Sequence, residues 1–155
     1  MFREMRKQEK QMQSENIAAV MKRCSCGVLA CLGDNGYPYA VPLSFVYFGG
    51  KIYFHSAKEG HKIDAITRHP QVSFTVIDKD CVAGGEYTTY FRSVIAFGKA
   101  GIVQGEERLK AFRALVEKYC GDQSKAANDR AVAGCTRAVI IAIEIEHLTG
   151  KESAE

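Results

Sequence analysis

The sequence predicts a mainly β domain, a small antiparallel barrel of about six strands decorated with short helices. Turn signals at Asp34-Asn35-Gly36 and Gly49-Gly50 separate apolar, β-branched runs by too few residues for a crossover, so the first strands pair antiparallel. The run from Tyr87 to Val103 is long and β-rich but interrupted by Gly98 and Gly101, the pattern of a bent or bulged barrel strand. Turns too short for crossovers argue against a doubly wound parallel sheet.

Ser14 is placed to cap a helix whose stripe is Ile17, Val20 and Met21 and which ends near Cys24. Gly27 to Leu32 is a short apolar strand, and Tyr37 to Phe48 is its aromatic returning arm. Lys51 to His55 makes a third strand. Ile63, Ala65 and Ile66 then take a helical spacing that stops at Pro70, since proline disfavours helix in the residue before it. Val72 to Ile77 reads as a strand, followed by an irregular stretch through Asp78, Asp80, Gly84 and Gly85. Leu109, Phe112, Val116 and Tyr119 mark an amphipathic helix. Gly121 to Gly134 is expected to be a loop or frayed helix, Ala138 to Ile145 the last strand, and Lys151 to Glu155 a disordered tail.

A chain of 155 residues with 46% hydrophobic and 25% charged residues is one globular domain and excludes wholesale disorder. A net charge of +3 is too small for a dedicated nucleic-acid or membrane-surface binder, so any bound anion must be held by a local cluster. The polar arm Met1 to Gln13 has no apolar segment behind it and does not read as a signal peptide. The six cysteines, Cys24, Cys26, Cys31, Cys81, Cys120 and Cys135, are therefore expected to be reduced thiols of a cytoplasmic protein. Cys24, Cys26 and Cys31 lack the spacing of a zinc knuckle or an iron–sulfur site.

The segment Phe54 to Asp64 carries the most chemistry. Ser56 and Glu59 have the spacing of a capping box, which would start a helix there, and a helix start offers free N–H groups to anions. Lys58 and Lys62 would share one helix face with His61 beside them, while Gly60 would admit a ligand close to the backbone. These are the parts of a phosphate cradle, and equally those of a capped surface helix. His55, His61 and His69 have no metal-site spacing, and no metal is expected. A second segment, Tyr87 to Ser93, either enters a strand or lines a groove for a planar anionic ligand through Tyr90, Phe91 and Arg92.

Tyr37 to Ser44, Ile52 to Lys62, Tyr87 to Gly98 and the ending Ile145 to Lys151 together resemble the nitroimidazole-resistance (Nim-type) branch of the pyridoxamine phosphate oxidase-like, FMN-binding split-barrel family. The resemblance implies an antiparallel split β-barrel of about six to seven strands. It further implies a homodimer with FMN sites at the subunit interface, FAD being the related alternative. On that pattern His55, Ser56, Ala57, Lys58, His61 and Lys62 take the phosphate. Pro42, Leu43 and Ser44 run along the isoalloxazine, and Tyr90, Arg92 and Ser93 approach from the partner or the same groove. Pro42 cannot donate to a ladder, so it belongs on an edge or bulge where neighbouring backbone groups stay free for a ligand.

Pyridoxamine phosphate oxidases close with an Arg- and Trp-containing segment, whereas this chain has no Trp, so that activity is not expected. The branch implies instead a flavin-dependent nitroreductase drawing electrons from a reduced nicotinamide, with His55 as the candidate proton donor. The alternatives are a non-catalytic flavin-binding protein and a haem-binding or haem-degrading protein on the same barrel.

Overall fold

The computed structural model describes residues 1–154. Helix α1 (Ser14–Arg23) leads into β1 (Cys26–Leu32), whose alternating burial turns Gly27, Leu29 and Cys31 inward. A short 3-10 turn at Asp34–Gly36, with Asn35 at φ 58°, reverses the chain into β2 (Pro38–Ser44). There follow β3 (Val46–Phe48), β4 (Lys51–Ala57), α2 (His61–Arg68), β5 (Gln71–Ala83) and β6 (Thr88–Val103). Helices α3 (Gly105–Cys120) and α4 (Lys125–Gly134) precede the last strand, β7 (Ala138–Ser153).

The strands form one seven-stranded sheet in the order β2-β1-β5-β6-β7-β4-β3, with every pairing antiparallel. Strands β2 and β3 are consecutive in the chain yet occupy opposite edges. The expected continuous arm from Tyr37 to Phe48 therefore breaks at Phe45, its first part pairing with β1 and its second with β4. The barrel is split along that break.

Inside, Leu29, Phe54, Phe74, Val94, Ile141 and Ile143 are buried, and α1 and α2 cover them with Ile17, Val20, Met21, Ala65 and Ile66. Each large side chain so buried contributes about 1.5–3 kcal/mol. A second cluster lies on the outer face, where α3 packs Ala111, Phe112 and Leu115 on Val46, Tyr53, Ile140 and Ala142. Leu109 and Tyr119 of the expected stripe are exposed, because the residues that meet the sheet are displaced around the helix.

The bend expected at Gly98 is present: β6 shifts register between Phe97 and Gly98. A Cβ at Gly98 would stand 2.2 Å from the Glu144 carbonyl oxygen, so only glycine permits this approach.

Two expectations are corrected, and a third is narrowed to its helical alternative. The stretch after Ile77 is not irregular but continues β5 to Ala83, with Asp78 bulged out of register. Gly121 to Gly134 contains α4, capped by Ser124, whose hydroxyl accepts the Ala127 N–H at 3.1 Å. Lys151 to Ser153 are not tail but strand, paired with Ser93, Arg92 and Phe91 and bridged at Lys151 to Gln11 of the N-terminal arm. Glu155 lies outside the described residues. Among the described residues, no helix is long and apolar enough to cross a membrane.

Candidate functional site

Strand β4 determines how the predicted cradle is presented. Its alternation sends Phe54 and Ser56 into the barrel and leaves His55 and Ala57 exposed. Ser56 is thus 6% exposed and its hydroxyl donates to the Ala57 carbonyl at 3.0 Å, so the Ser56–Glu59 capping box does not form. Helix α2 starts later, at His61, after Gly60 with φ 135°, a conformation that favours glycine, and no side chain caps it. Its first hydrogen bond runs from the Asp64 N–H to the Gly60 carbonyl at 3.0 Å. The N–H groups of His61, Lys62 and Ile63 consequently have no intrahelical partner and no side-chain cap.

Lys58 precedes the helix and does not share a face with Lys62, contrary to the spacing argument. Lys62 lies with its ammonium 5.8 Å from the Phe54 ring centroid, and burial pulls its pKa below the ordinary lysine value. His61 stacks on Tyr39 of β2 at 4.0 Å. The His61 Nε2 stands 3.9 Å from Asp34, whose carboxylate takes a 2.7 Å hydrogen bond from Arg68.

The Tyr39–His61 stack joins α2 to β2, and β2 ends the sheet. Only β1 pairs with it, so the backbone groups on its other side are free of the ladder, as expected from Pro42. Pro42 and Ser44 face outward and Leu43 faces the core. At strand rise, Pro42 to Ser44 lie about 10–17 Å beyond Tyr39 along this edge.

Tyr90, Arg92 and Ser93 are elsewhere. They lie on β6, separated from β2 by β5 and β1 and from β4 by β7. Arg92 donates to Asp78 and to Glu152, each at 2.9 Å. Arg23 holds the same Asp78 through bonds of 2.9 and 2.5 Å, and the Cys24 thiol donates to it at 3.1 Å. These donors, Arg23 foremost, hold the Asp78 carboxyl far below the usual carboxylate range. Burial, then the hydrogen bond to Asp78, pushes the Cys24 thiol up to about 11. Tyr90 bonds Glu86 through its hydroxyl. Ser93 lines a groove on the outer face with Ile95, Phe97 and His147. There the N-terminal arm lays Phe2 against Phe97 and His147, at 5.6 and 4.9 Å between ring centroids.

The sequence reading missed Asp78 and Tyr39. Asp78 acquires its partners only through a bulge and the pairing of β5 with β1 and β6, which no local motif announces. Tyr39 was within reach, since alternation in β2 puts it on the inner face with Val41 and Leu43. Among the described residues, no three His, Cys, Asp or Glu side chains converge as a metal site.

No curated protein matches the chain. Among solved structures, a conserved hypothetical protein from Mycobacterium tuberculosis superposes with a TM-score of 0.81 at 21% identity, over 96% of this chain and 90% of that one. A candidate 5-nitroimidazole antibiotic resistance protein from Bacteroides thetaiotaomicron gives 0.74 at 23% identity, over 91% of this chain and 85% of that one. An FAD- and haem-binding protein from Mycobacterium smegmatis gives 0.74 at 16% identity, over 94% and 74%. At these identities the likeness is one of fold. The family model described as pyridoxamine 5'-phosphate oxidase matches residues 13–152, nearly the whole chain, and with the split seven-stranded sheet this places the protein in the pyridoxamine 5'-phosphate oxidase-like family.

Proposed function

We propose that the protein binds FMN and acts as an oxidoreductase, reducing nitroaromatic or related small acceptors with electrons from a reduced nicotinamide. The observation that carries the reading is the junction of a free strand edge with an uncapped helix start, made by Tyr39 and His61. An elongated ligand with a phosphate at one end and a flat ring system at the other matches both halves.

The residues fit the group. The N–H groups at the start of α2, with Lys62, His61 and Lys58 around them, would take the phosphate, and Gly60 leaves the approach open, a Cβ there meeting nothing within 4 Å. The edge of β2 from Pro42 to Ser44 would run along the ring system. When bound, flavin supplies the two-electron chemistry between donor and acceptor. His55, exposed on β4, would be the proton donor to the acceptor. Ala57, exposed, and Ser56, turned into the barrel, would complete the phosphate site through the strand end they form. Ser93, on the outer face of β6, would meet the ligand from a second copy of the chain, and Tyr90 and Arg92 would stiffen that arm. Such a homodimer would also cover exposed Ile95, Phe97 and Leu32. The six unpaired cysteines suit a cytoplasmic setting.

The relative described as a nitroimidazole resistance protein favours nitro acceptors, while the FAD- and haem-binding relative sets the alternatives. The test is a visible spectrum of protein purified without added cofactor, then turnover of a reduced nicotinamide with a nitroaromatic. Released FMN with turnover is the expected result. Flavin without turnover would leave a binding protein, and a Soret band, or failure to take up added FMN, would overturn the reading.

A further inference from the structure

The break at Phe45 leaves polar backbone in an awkward place. A chain that passes from one sheet edge to the other cannot keep both ladders, and Phe45 is fully buried at the crossing. The Phe45 N–H keeps one long backbone bond, to the Ser25 carbonyl at 3.4 Å, and two adjacent side chains of the last turn of α3 supply the rest. The Lys118 ammonium donates to the carbonyls of Phe45 at 3.1 Å and of Cys24 at 2.5 Å, the latter being the C-cap of α1, where a positive charge is favoured. The same ammonium lies 4.4 Å from the Phe45 ring centroid. The Tyr119 hydroxyl accepts the Phe45 N–H at 3.2 Å and lies within 2.5 Å of the Phe45 carbonyl and 2.9 Å of the Ser25 carbonyl, to either of which it can donate. Both residues therefore hold the backbone of Phe45, immediately after Ser44.

We propose that Lys118 and Tyr119 are positioning residues: they clamp the split of the barrel at Phe45 and so set the course of Pro42 to Ser44 for the ligand. The clamp stands on the hydrogen bonds alone, and its effect on the ligand rests on the flavin reading above. Placing it on α3 also explains why an exposed tyrosine lies on that helix: the residue is 38% exposed while its hydroxyl serves the break.

The experiment compares the full-length protein with Lys118→Met, which keeps the stem and removes the charge, and with Tyr119→Phe, which keeps the ring. Amide hydrogen exchange is read first, without ligand. Exchange at Phe45 and Val46 is expected to rise at least tenfold in either variant, while Ile141 and Ile143 in the core keep their protection. Unchanged exchange at Phe45 in the folded Tyr119→Phe protein would overturn the clamp, and if Lys118→Met does not fold, Tyr119→Phe alone decides. FMN titration is read second. A Kd raised about tenfold with a shifted flavin absorption maximum is expected, and partial recovery in Lys118→Arg. Wild-type affinity and spectrum alongside faster exchange would overturn the positioning role. Wild-type protein that binds no FMN would defeat the flavin reading but leave the exchange result to judge the clamp.

Discussion

The start of α2 and the cluster around Asp78 each hold two cationic side chains, yet these charges are satisfied in opposite ways. Asp78 gathers two guanidinium groups and a thiol, and Arg92 is further held by Glu152. At α2, Lys58 and Lys62 have no carboxylate within ion-pair distance among the described residues, and Lys62 is partly buried against an aromatic ring instead. A cation enclosed by carboxylates organises the fold. One left without them, beside uncapped N–H groups, is available to an external anion. Arg92, expected to grip the ligand, belongs to the first kind within this chain.

Breaking the Asp78 cluster should have the largest effect. Asp78→Ala leaves Arg23 and Arg92 facing one another at the bulge and is expected to cost about 2–3 kcal/mol in urea unfolding, toward the lower end because Arg23 is half exposed. The pH dependence follows from the sign of the shift. The folded carboxyl titrates far below its unfolded value of about 3.9, so its stabilisation is complete above about pH 4 and disappears as the pH falls through the folded pKa. The variant should lose that part of the acid dependence. FMN affinity of the folded variant should stay within about twofold of wild type, that is, within about 0.4 kcal/mol. A loss as large as that of the next variant would collapse the contrast between the regions.

Lys62→Met is the counterpart. Removing a partly buried ammonium should weaken FMN about tenfold, equivalent to about 1.4 kcal/mol, with no loss of stability. Burial lowers the folded pKa, meaning the fold disfavours the charged form, so a neutral side chain of similar shape should melt no earlier than wild type. A titration beside a thermal melt reads both. An earlier melt with unchanged affinity would make Lys62 structural and the cradle a plain surface helix.

How far the sequence carried the reading follows the same division. Turns announced by Asn35, Gly36, Gly49 and Gly50, the bend at Gly98 and the edge position of Pro42 were legible because each is a local steric demand. The capping box failed because β4 continues two residues past His55, to Ala57, and strand alternation then carried Ser56 inward. The break at Phe45 was not legible at all. Nothing between Ser44 and Val46 interrupts the β-pattern, and the partners that decide it, Lys118 and Tyr119, are remote in sequence.

Cys24 reports on the Asp78 cluster without disturbing it. With its thiol pushed up to about 11, few molecules carry the reactive thiolate near neutrality. Against the same residue in urea-unfolded protein, with a free-thiol pKa near ~8.5, alkylation by iodoacetamide at pH 8 should be slower on the order of 10²-fold. Cys26 and Cys81 are exposed and should be modified early, with Cys31 buried and late. Because Asp78 both accepts the Cys24 hydrogen bond and opposes a second negative charge beside it, Asp78→Ala should speed alkylation at Cys24 and leave Cys31 as slow as before. Cys24 reacting in the native protein as fast as Cys81 would mean that the cluster is open to solvent, and the distinction between enclosed and available charge would lose its structural basis.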